Sequence, residues 1–249
     1  MLQKLVFPDA ELYLQGAHLT RFKDWLYLSS RSHFAEGKAI RGGIPVVFPW
    51  FGPKRDDASA PQHGWARTSL WNIEGQSQSS ALLAVRNDEW YVRLHYGFGD
   101  TLTVTVEVQN LATKARSFEL ALHSYFTVSD VTKVQIEGLD SLTYRDKTRG
   151  NERFTQSGTL HFEGEVDRIY LNAPSPLHIV DGMQGYELRG DWASAVTWNP
   201  GATKAAQMSD LGEGEWQNFV CLEVGAIADN AIELAPQATW TMNVEVSRI

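Results

Sequence analysis

Two ionisable side chains, those of His123 and Glu223, lie in sequence surroundings that could support proton transfer. His123 belongs to the strand-like run SFELALHSYF (117–126), in which the large apolar residues share one face. The histidine falls on the opposite face, so it lies either at a solvated surface or in a functional cleft. From the residues alone, the surface is the commoner outcome.

Glu223 belongs to NFVCLEVG (218–225), a run that is apolar on both faces and therefore predicts a strand buried on both sides. A carboxylate in such a strand must be paired, hydrogen-bonded or line a cavity, because an unpaired buried charge is strongly destabilising. One interpretation is an ion pair with an arginine. The other is a general base, whose pKa burial could raise toward the working range.

The stretch KAIRGGIPVVFPWFGPKRDDASAPQHGWAR (38–67) combines aromatic residues with two arginines and a histidine. Pro45 and Pro49 exclude a helix or a regular central strand, because each proline removes a backbone donor. We therefore expect irregular, aromatic-walled structure. This composition is typical of a cleft that binds a small polar or anionic ligand.

Arg41 and Arg67 stand near the two ends of this stretch. A guanidinium group suits phosphate, because its planar fork offers paired donors and stays charged at any relevant pH. The glycine pair after Arg41 permits close backbone approach or a positive φ. The alternative is that the arginines pair with Asp56, Asp57 or other surface carboxylates.

The sequence predicts that the secondary-structure elements that position these residues are short strands. Residues 90–96 and 101–108 alternate apolar and polar side chains on either side of a GFGD turn, which predicts an antiparallel hairpin, and residues 240–247 repeat the pattern. No convincing amphipathic helix exceeds about two turns. Many short strands at roughly 8–12-residue spacing predict an all-β sandwich or barrel. We expect one domain spanning residues 1–249.

Composition narrows the class of function. The net charge of −8 argues against a nucleic-acid binder, and no stretch approaches the roughly 20 apolar residues of a membrane span. The single cysteine, Cys221, excludes an internal disulfide, so we expect a cytoplasmic protein. Common zinc, thiol, serine-hydrolase and P-loop signatures are absent. We therefore expect no metal and no cofactor, and a monomer.

Six motifs occur in order over nearly the whole chain: IRGGIPVVFPWFGP, QHGWAR, ALHSYF, DRIY, TWNP and NFVCLEVG. Together they resemble the signature of the hexose-6-phosphate mutarotases, a branch of the galactose-mutarotase-like (aldose 1-epimerase) family. The resemblance implies a large antiparallel β-sandwich with its site on the concave face of one sheet. It also implies cofactor-free anomerisation of a sugar.

The resemblance further implies roles for individual residues. His123 becomes the general acid and Glu223 the general base. The implied substrate-binding residues are Arg41, Gln62, His63, Arg67 and Asp167. Without the resemblance, Asp167 could be a local partner of Arg168, and His63 a loop histidine that satisfies backbone groups.

We predict a hexose-6-phosphate mutarotase, with glucose 6-phosphate as the first candidate substrate, because a C6 phosphate needs arginines whereas a neutral hexose does not. The alternatives are a mutarotase for free aldoses or another anionic sugar, such as a sulfonated one, and a non-catalytic carbohydrate-binding protein of the same fold. Gly201 after TWNP and Val224 after the implied base depart from the expected pattern. These departures concern loop contacts and specificity more than reaction type.

Overall fold

The computed structural model describes residues 2–249, and strands are its dominant secondary structure. In chain order the strands are β1 (Lys4–Val6), β2 (Ala10–Tyr13), β3 (His18–Phe22), β4 (Val46–Val47), β5 (Asn72–Gln76), β6 (Ser80–Arg86), β7 (Trp90–Phe98), β8 (Leu102–Asn110), β9 (Arg116–Phe118), β10 (Leu120–Leu122), β11 (Tyr125–Thr127), β12 (Gln135–Glu137), β13 (Thr143–Asp146), β14 (Glu152–Thr155), β15 (Leu160–His161), β16 (Val166–Leu171), β17 (Leu177–Asp181), β18 (Gln184–Gly190), β19 (Ser194–Asn199), β20 (Phe219–Ala226), β21 (Ile232–Leu234) and β22 (Thr239–Arg248).

Helical structure is short throughout the described residues. One α-helix, α1, spans Gly201–Ala205. The 3-10 helices span Ala66–Thr68, Val131–Lys133, Lys147–Arg149, Glu215–Asn218 and Ala228–Asn230. The prediction that no helix is longer than about two turns is confirmed. No helix in residues 2–249 has the length and apolar character needed to cross a membrane.

Two large antiparallel sheets form the body of the molecule. One has nine strands in the order β15-β12-β17-β18-β22-β8-β7-β6-β5. The other has eight, in the order β14-β13-β16-β19-β20-β10-β4, with β11 also paired to β20. Two small sheets, β1-β2-β3 and β21-β9, complete the fold. The predicted all-β antiparallel sandwich is confirmed.

The nine-stranded sheet shows the alternation that the sequence predicts. Along β7 and β8 every second residue is buried, including Val92, Leu94, Val104 and Val106. These residues join one continuous core with buried residues of the eight-stranded sheet, among them Leu222. The two sheets therefore pack face to face, because each has one apolar face that must be removed from water.

The eight-stranded sheet is covered on both faces. Its second face carries two further clusters of buried residues, one containing Tyr125, Trp198 and Phe219, the other Ala121 and Val196. Consequently β20 is buried along its whole length, as its apolar character on both sides predicts. This second face, turned away from the shared core, holds the site described below.

The glycine pair before the proline-rich stretch is required by close backbone approach. Gly42 and Gly43 have φ values of 116° and 63°. A Cβ atom at Gly43 would lie 2.2 Å from the carbonyl oxygen of Leu19. Only glycine fits this position, and the close packing fixes the backbone next to Arg41.

Candidate active site

The strand register brings His123 and Glu223 together. On β20, Val224 pairs with Leu122 of β10, and Cys221 pairs with Tyr125 of β11. His123 lies between those two strands, so the same register places it opposite Glu223. Its imidazole Nε2 lies 3.3 Å from Oε1 of the glutamate. Two residues 100 positions apart thus meet because their strands are neighbours.

Asp167 reaches the same sheet face from two strands away. Asp167 on β16 is the strand-pairing partner of Trp198 on β19, and Trp198 is in turn the partner of Cys221 on β20. Because side chains alternate along a strand, Cys221 and Glu223 point to the same face. Asp167 therefore lies on that face too, displaced from Glu223 by one pleat repeat along the sheet.

The His123–Glu223 pair is nearly sealed from solvent. The glutamate is 1% exposed and the histidine 8%. Burial raises the pKa of Glu223 well above its usual range, while Lys147 opposes this shift and Asp167 adds to it. Burial lowers the pKa of His123 well below its usual range, and the neighbouring Arg41 and Arg67 lower it further. Nδ1 of His123 and Oε2 of Glu223 are buried and bond to no described residue, which leaves both with unused hydrogen-bonding capacity.

His63 sits beside His123, with ring centroids 5.8 Å apart. Its Nδ1 accepts a hydrogen bond from the backbone N–H of Gly52 at 3.2 Å. Burial lowers the pKa of His63 to about 3, and the charges of Arg67 and Lys147 contribute. The neutral ring therefore carries its proton on Nε2, which can donate a hydrogen bond to a ligand oxygen.

Asp167 pairs with a lysine rather than with its neighbour Arg168. Lys147 Nζ lies 2.9 Å from Asp167 Oδ2 and 5.2 Å from the ring centroid of Phe51. Lys147 opens a 3-10 turn that is capped by Asp146, whose Oδ1 accepts from the backbone N–H of Thr148 at 3.0 Å. Burial raises the pKa of Asp167, while Lys147 opposes that shift.

Arg67 keeps much of its donor capacity. One terminal nitrogen donates to the carbonyl oxygen of Gln62 at 2.7 Å, and within residues 2–249 the guanidinium pairs with no carboxylate. The Gln62 residue itself is exposed, and its side chain bonds to no described residue. Arg67 is thus a cation available for an anionic ligand.

Arg41 is held from several sides. Its Nε and one terminal nitrogen donate to Oδ2 of Asp210 at 3.1 and 2.9 Å. Its other terminal nitrogen donates to the Tyr125 hydroxyl at 2.9 Å. The guanidinium carbon lies 5.9 Å from the ring centroid of Trp198. Neither Asp56 nor Asp57, the carboxylates suggested by the sequence, is its partner.

A cavity of about 710 Å³ lies next to the site, and neither His123 nor Glu223 lines it. Its lining includes Phe51, Lys147, Ile169 and Ile227. Phe51 also contacts the ring of His63, with centroids 4.9 Å apart. Phe51 and Lys147 therefore line this cavity and also contact two predicted site residues, His63 and Asp167.

The structure brings the predicted residues to one face of one sheet, with Gln62 at the exposed rim. Three further residues, Tyr125, Lys147 and Asp210, hydrogen-bond or form ion pairs through their side chains with side chains of predicted site residues. Tyr125 could have been found from the sequence, because it lies two residues after His123 on the same strand face. The other two come from separate loops and carry no local signal. No group of three or more histidine, cysteine or carboxylate side chains in residues 2–249 is arranged to hold a metal.

Comparison with known proteins gives concordant results. A model of the aldose 1-epimerase family matches residues 8–247. A protein of Cenchrus ciliaris named "Putative glucose-6-phosphate 1-epimerase" is 33% identical, with 96% of this chain and 81% of that protein covered. A protein of the same name from Escherichia coli K12 is 29% identical, with 86% and 78% covered.

Solved structures agree. One described as "a putative mutarotase" from Salmonella typhimurium superposes with a TM-score of 0.87 at 25% identity, over 98% of this chain and 89% of that one. A galactose mutarotase-like protein of Lactobacillus casei superposes with a TM-score of 0.76 over 100% of both chains. At 16% identity, this second likeness shows the fold alone.

Proposed function

The chain belongs to the aldose 1-epimerase family, and from this premise we propose that it interconverts the α and β anomers of an aldohexose 6-phosphate, glucose 6-phosphate being the first candidate. The observation that carries the proposal is the buried His123–Glu223 pair at 3.3 Å, beside two arginines. The names of the curated relatives support the same substrate.

The pair supplies the acid and the base of the reaction. The Glu223 carboxylate takes the proton from the C1 hydroxyl while the His123 imidazolium gives one to the ring oxygen. The C1–O5 bond breaks and C1 becomes an aldehyde. After rotation about the C1–C2 bond the ring closes on the other carbonyl face, and the two protons return by the reverse transfers. No covalent intermediate is needed.

Burial disfavours both charged forms that this cycle uses, which explains the directions of the two pKa shifts. Opposite charges 3.3 Å apart attract strongly in a buried site and favour the ion pair. The two groups therefore titrate as one unit that must hold one proton between them.

The substrate's phosphate is assigned to the arginines. Arg67 has no carboxylate partner within the described residues. Arg41 donates to the hydroxyl of Tyr125, whose ring stacks on that of His123 with centroids 4.9 Å apart. The whole chain carries a net charge of −8, so this concentration of positive charge is local. A fixed cation cluster in a buried site suits a dianion.

The sugar hydroxyls are assigned to the remaining predicted residues. Nε2 of neutral His63 donates, and the carboxylate of Asp167 accepts. Gln62, at the exposed rim, can do both. These groups orient the pyranose so that its C1–O5 edge faces His123 and Glu223.

We also propose that the protein acts as a cytoplasmic monomer. Its one thiol, Cys221, is free and buried, in keeping with a reducing compartment.

The first test is exchange NMR on the anomeric protons of glucose 6-phosphate, with and without protein, and then of glucose and galactose. Glu223→Gln keeps the side-chain shape and removes the base, so we expect exchange to fall to the spontaneous rate. Arg86→Ala is the matched control, because Arg86 is exposed on the other large sheet and bonds to no described side chain.

Each outcome has a distinct meaning. Acceleration of the phosphosugar that is lost in Glu223→Gln establishes reaction, base and substrate class together. Acceleration of free hexoses alone keeps the mechanism and contradicts the role given to the arginines. Binding without acceleration of any sugar identifies a carbohydrate-binding protein instead.

A further inference from the structure

The segment between α1 and β20, residues 206–218, is bonded to the site by two carboxylates, those of Asp210 and Glu215. Glu215 accepts from the Tyr27 hydroxyl at 2.6 Å and from the Ser29 hydroxyl at 3.1 Å. It also accepts from the backbone N–H of Gly212 at 3.1 Å. These bonds fix the segment against the chain that leads to Arg41.

Asn199 holds the same end of the segment. The side-chain amide of Asn199 donates to the carbonyl oxygens of Trp216 at 2.8 Å and of Phe219 at 2.9 Å. The side-chain oxygen Oδ1 of Asn199 accepts from the backbone N–H of Gly201 at 2.9 Å. Because its C-terminal part is held by these bonds, the segment presents Asp210 to Arg41 from a fixed base.

The contact with Asp210 determines which donors Arg41 has left. A guanidinium group has five N–H donors. Two are directed to Asp210 and one to Tyr125, which leaves two for a ligand. Asp210 and Tyr125 bind different edges of the planar guanidinium. Rotation of the side chain would therefore break at least one charge-assisted hydrogen bond.

We propose that Asp210 is a positioning residue that holds Arg41 ready for the substrate's anionic group, an inference that rests on the proposed function of Arg41. A preorganised arginine loses little conformational freedom on binding, which improves affinity. The Asp210 carboxylate also repels an incoming anion, so the two effects of this residue oppose each other. Positioning is the larger effect, because Asp210 itself is partly screened by its direct contact with the guanidinium.

Two substitutions separate these effects. Asp210→Ala removes both the charge and the acceptor, whereas Asp210→Asn removes the charge and keeps an acceptor oxygen. We expect Asp210→Ala to raise KM for glucose 6-phosphate roughly threefold, less than the loss of Arg41 itself, with a small change in kcat. KM for free glucose rises far less. Asp210→Asn restores most of the lost affinity. Glu213→Gln is the matched control, because it removes a charge from an exposed residue of the same segment that bonds to no described residue.

A spectroscopic readout tests the positioning itself. The Arg41 Nε–H resonance is assigned by its disappearance in Arg41→Lys. We expect slow solvent exchange of this proton in the wild type and in Asp210→Asn, and fast exchange in Asp210→Ala. This measurement needs no substrate. It therefore gives a result even if the protein turns over no sugar phosphate.

The inference is overturned if the Nε–H proton of Arg41 stays protected in Asp210→Ala. It is also overturned if both Asp210 variants bind the phosphosugar more tightly, which would make the carboxylate a competitor of the substrate. An increase in KM in Glu213→Gln as large as that in Asp210→Ala would also contradict the inference. The loss of any negative charge from the segment would then explain the result without the contact to Arg41. A wild-type protein that accelerates only free hexoses overturns the proposed function and the substrate part of this inference, whereas the Arg41 resonance reports separately on the contact.

Discussion

Arg67 and Arg41 differ in a way that only their contacts reveal. Arg67 pairs with no carboxylate among residues 2–249, whereas Arg41 shares its charge with Asp210. An unpaired guanidinium contributes its whole charge to an anionic ligand, and a paired one contributes less. We therefore expect the two arginines, equivalent by sequence, to be unequal as phosphate ligands.

We expect Arg67→Ala to lower kcat/KM for glucose 6-phosphate by roughly a hundredfold and Arg41→Ala by roughly tenfold, as loss of charge-assisted hydrogen bonds to a dianion implies. Neither substitution should reduce turnover of free hexose comparably. Steady-state exchange rates over a series of substrate concentrations provide the comparison. Equal losses on both substrates would contradict the assignment of the phosphate to these side chains.

The pH dependence of turnover should also differ between substrates. Activity falls on the basic side when the His123–Glu223 pair loses the one proton it needs. Burial is the main cause that lowers the pKa of His123, and the positive charges of Arg41 and Arg67 lower it further. A lower pKa favours loss of the proton. A bound phosphate dianion offsets those charges and raises the pKa of the pair.

We therefore expect the basic limb of kcat to lie at higher pH for glucose 6-phosphate than for free glucose. The measurement is kcat by exchange NMR across the neutral and alkaline range, at saturating substrate. Arg67→Ala should shift the limb for free glucose upward as well, because one of the charges that lower the pKa is gone. Coincident limbs for both substrates would show that the phosphate does not approach the arginines.

At the scale of elements, the site depends on the pairing between β10 and β20. Gly225 pairs with Ala121 on one side and with Ser194 on the other. A Cβ atom at Gly225 would lie 1.9 Å from the carbonyl oxygen of Leu120. The strands can approach this closely only because the residue is glycine, and the approach sets the register that aligns His123 with Glu223.

Gly225→Ala should force these strands apart. Overpacking of a buried position typically costs about 1–3 kcal/mol, so we expect a lower free energy of unfolding together with a fall in kcat beyond the change in KM. Gly75→Ala is the control, because a Cβ atom there meets only the Cβ of Leu82 at 3.7 Å, an ordinary contact. Denaturant unfolding of both variants measures the free energy of unfolding, and exchange NMR measures kcat and KM. Unchanged kcat in Gly225→Ala would mean that the acid/base geometry tolerates a shift of this pair of strands.

At the scale of the whole molecule, the two faces of the eight-stranded sheet differ in what they pack against. One face closes the core shared with the nine-stranded sheet. The other carries the acid/base pair, supported by the two smaller buried clusters. Because a rigid sheet holds residues from β16, β20 and the β10–β11 break, strand pairing sets the spacing of Asp167, Glu223 and His123. The expected single domain remains a prediction.

Much of this organisation follows from local physics that the sequence displays. Period-two alternation predicts β7, β8 and β22, because each strand has one face in water and one in the core. Apolar residues on both sides predict that β20 is buried on both faces, and its Glu223 is thereby marked as exceptional. The two prolines predict the irregular stretch, in which only Val46–Val47 form a strand.

Tertiary structure alone decides which residues meet. The partner of Arg41 is Asp210 and that of Asp167 is Lys147, although the sequence suggests nearby candidates for both. An ion pair needs proximity in space, and strand order together with loop placement brings together residues 169 and 20 positions apart. The sequence by itself determines strand character, the residue types of the site and the family resemblance. The fold supplies their geometry, because distances across a sheet depend on long-range strand pairing that no local pattern encodes.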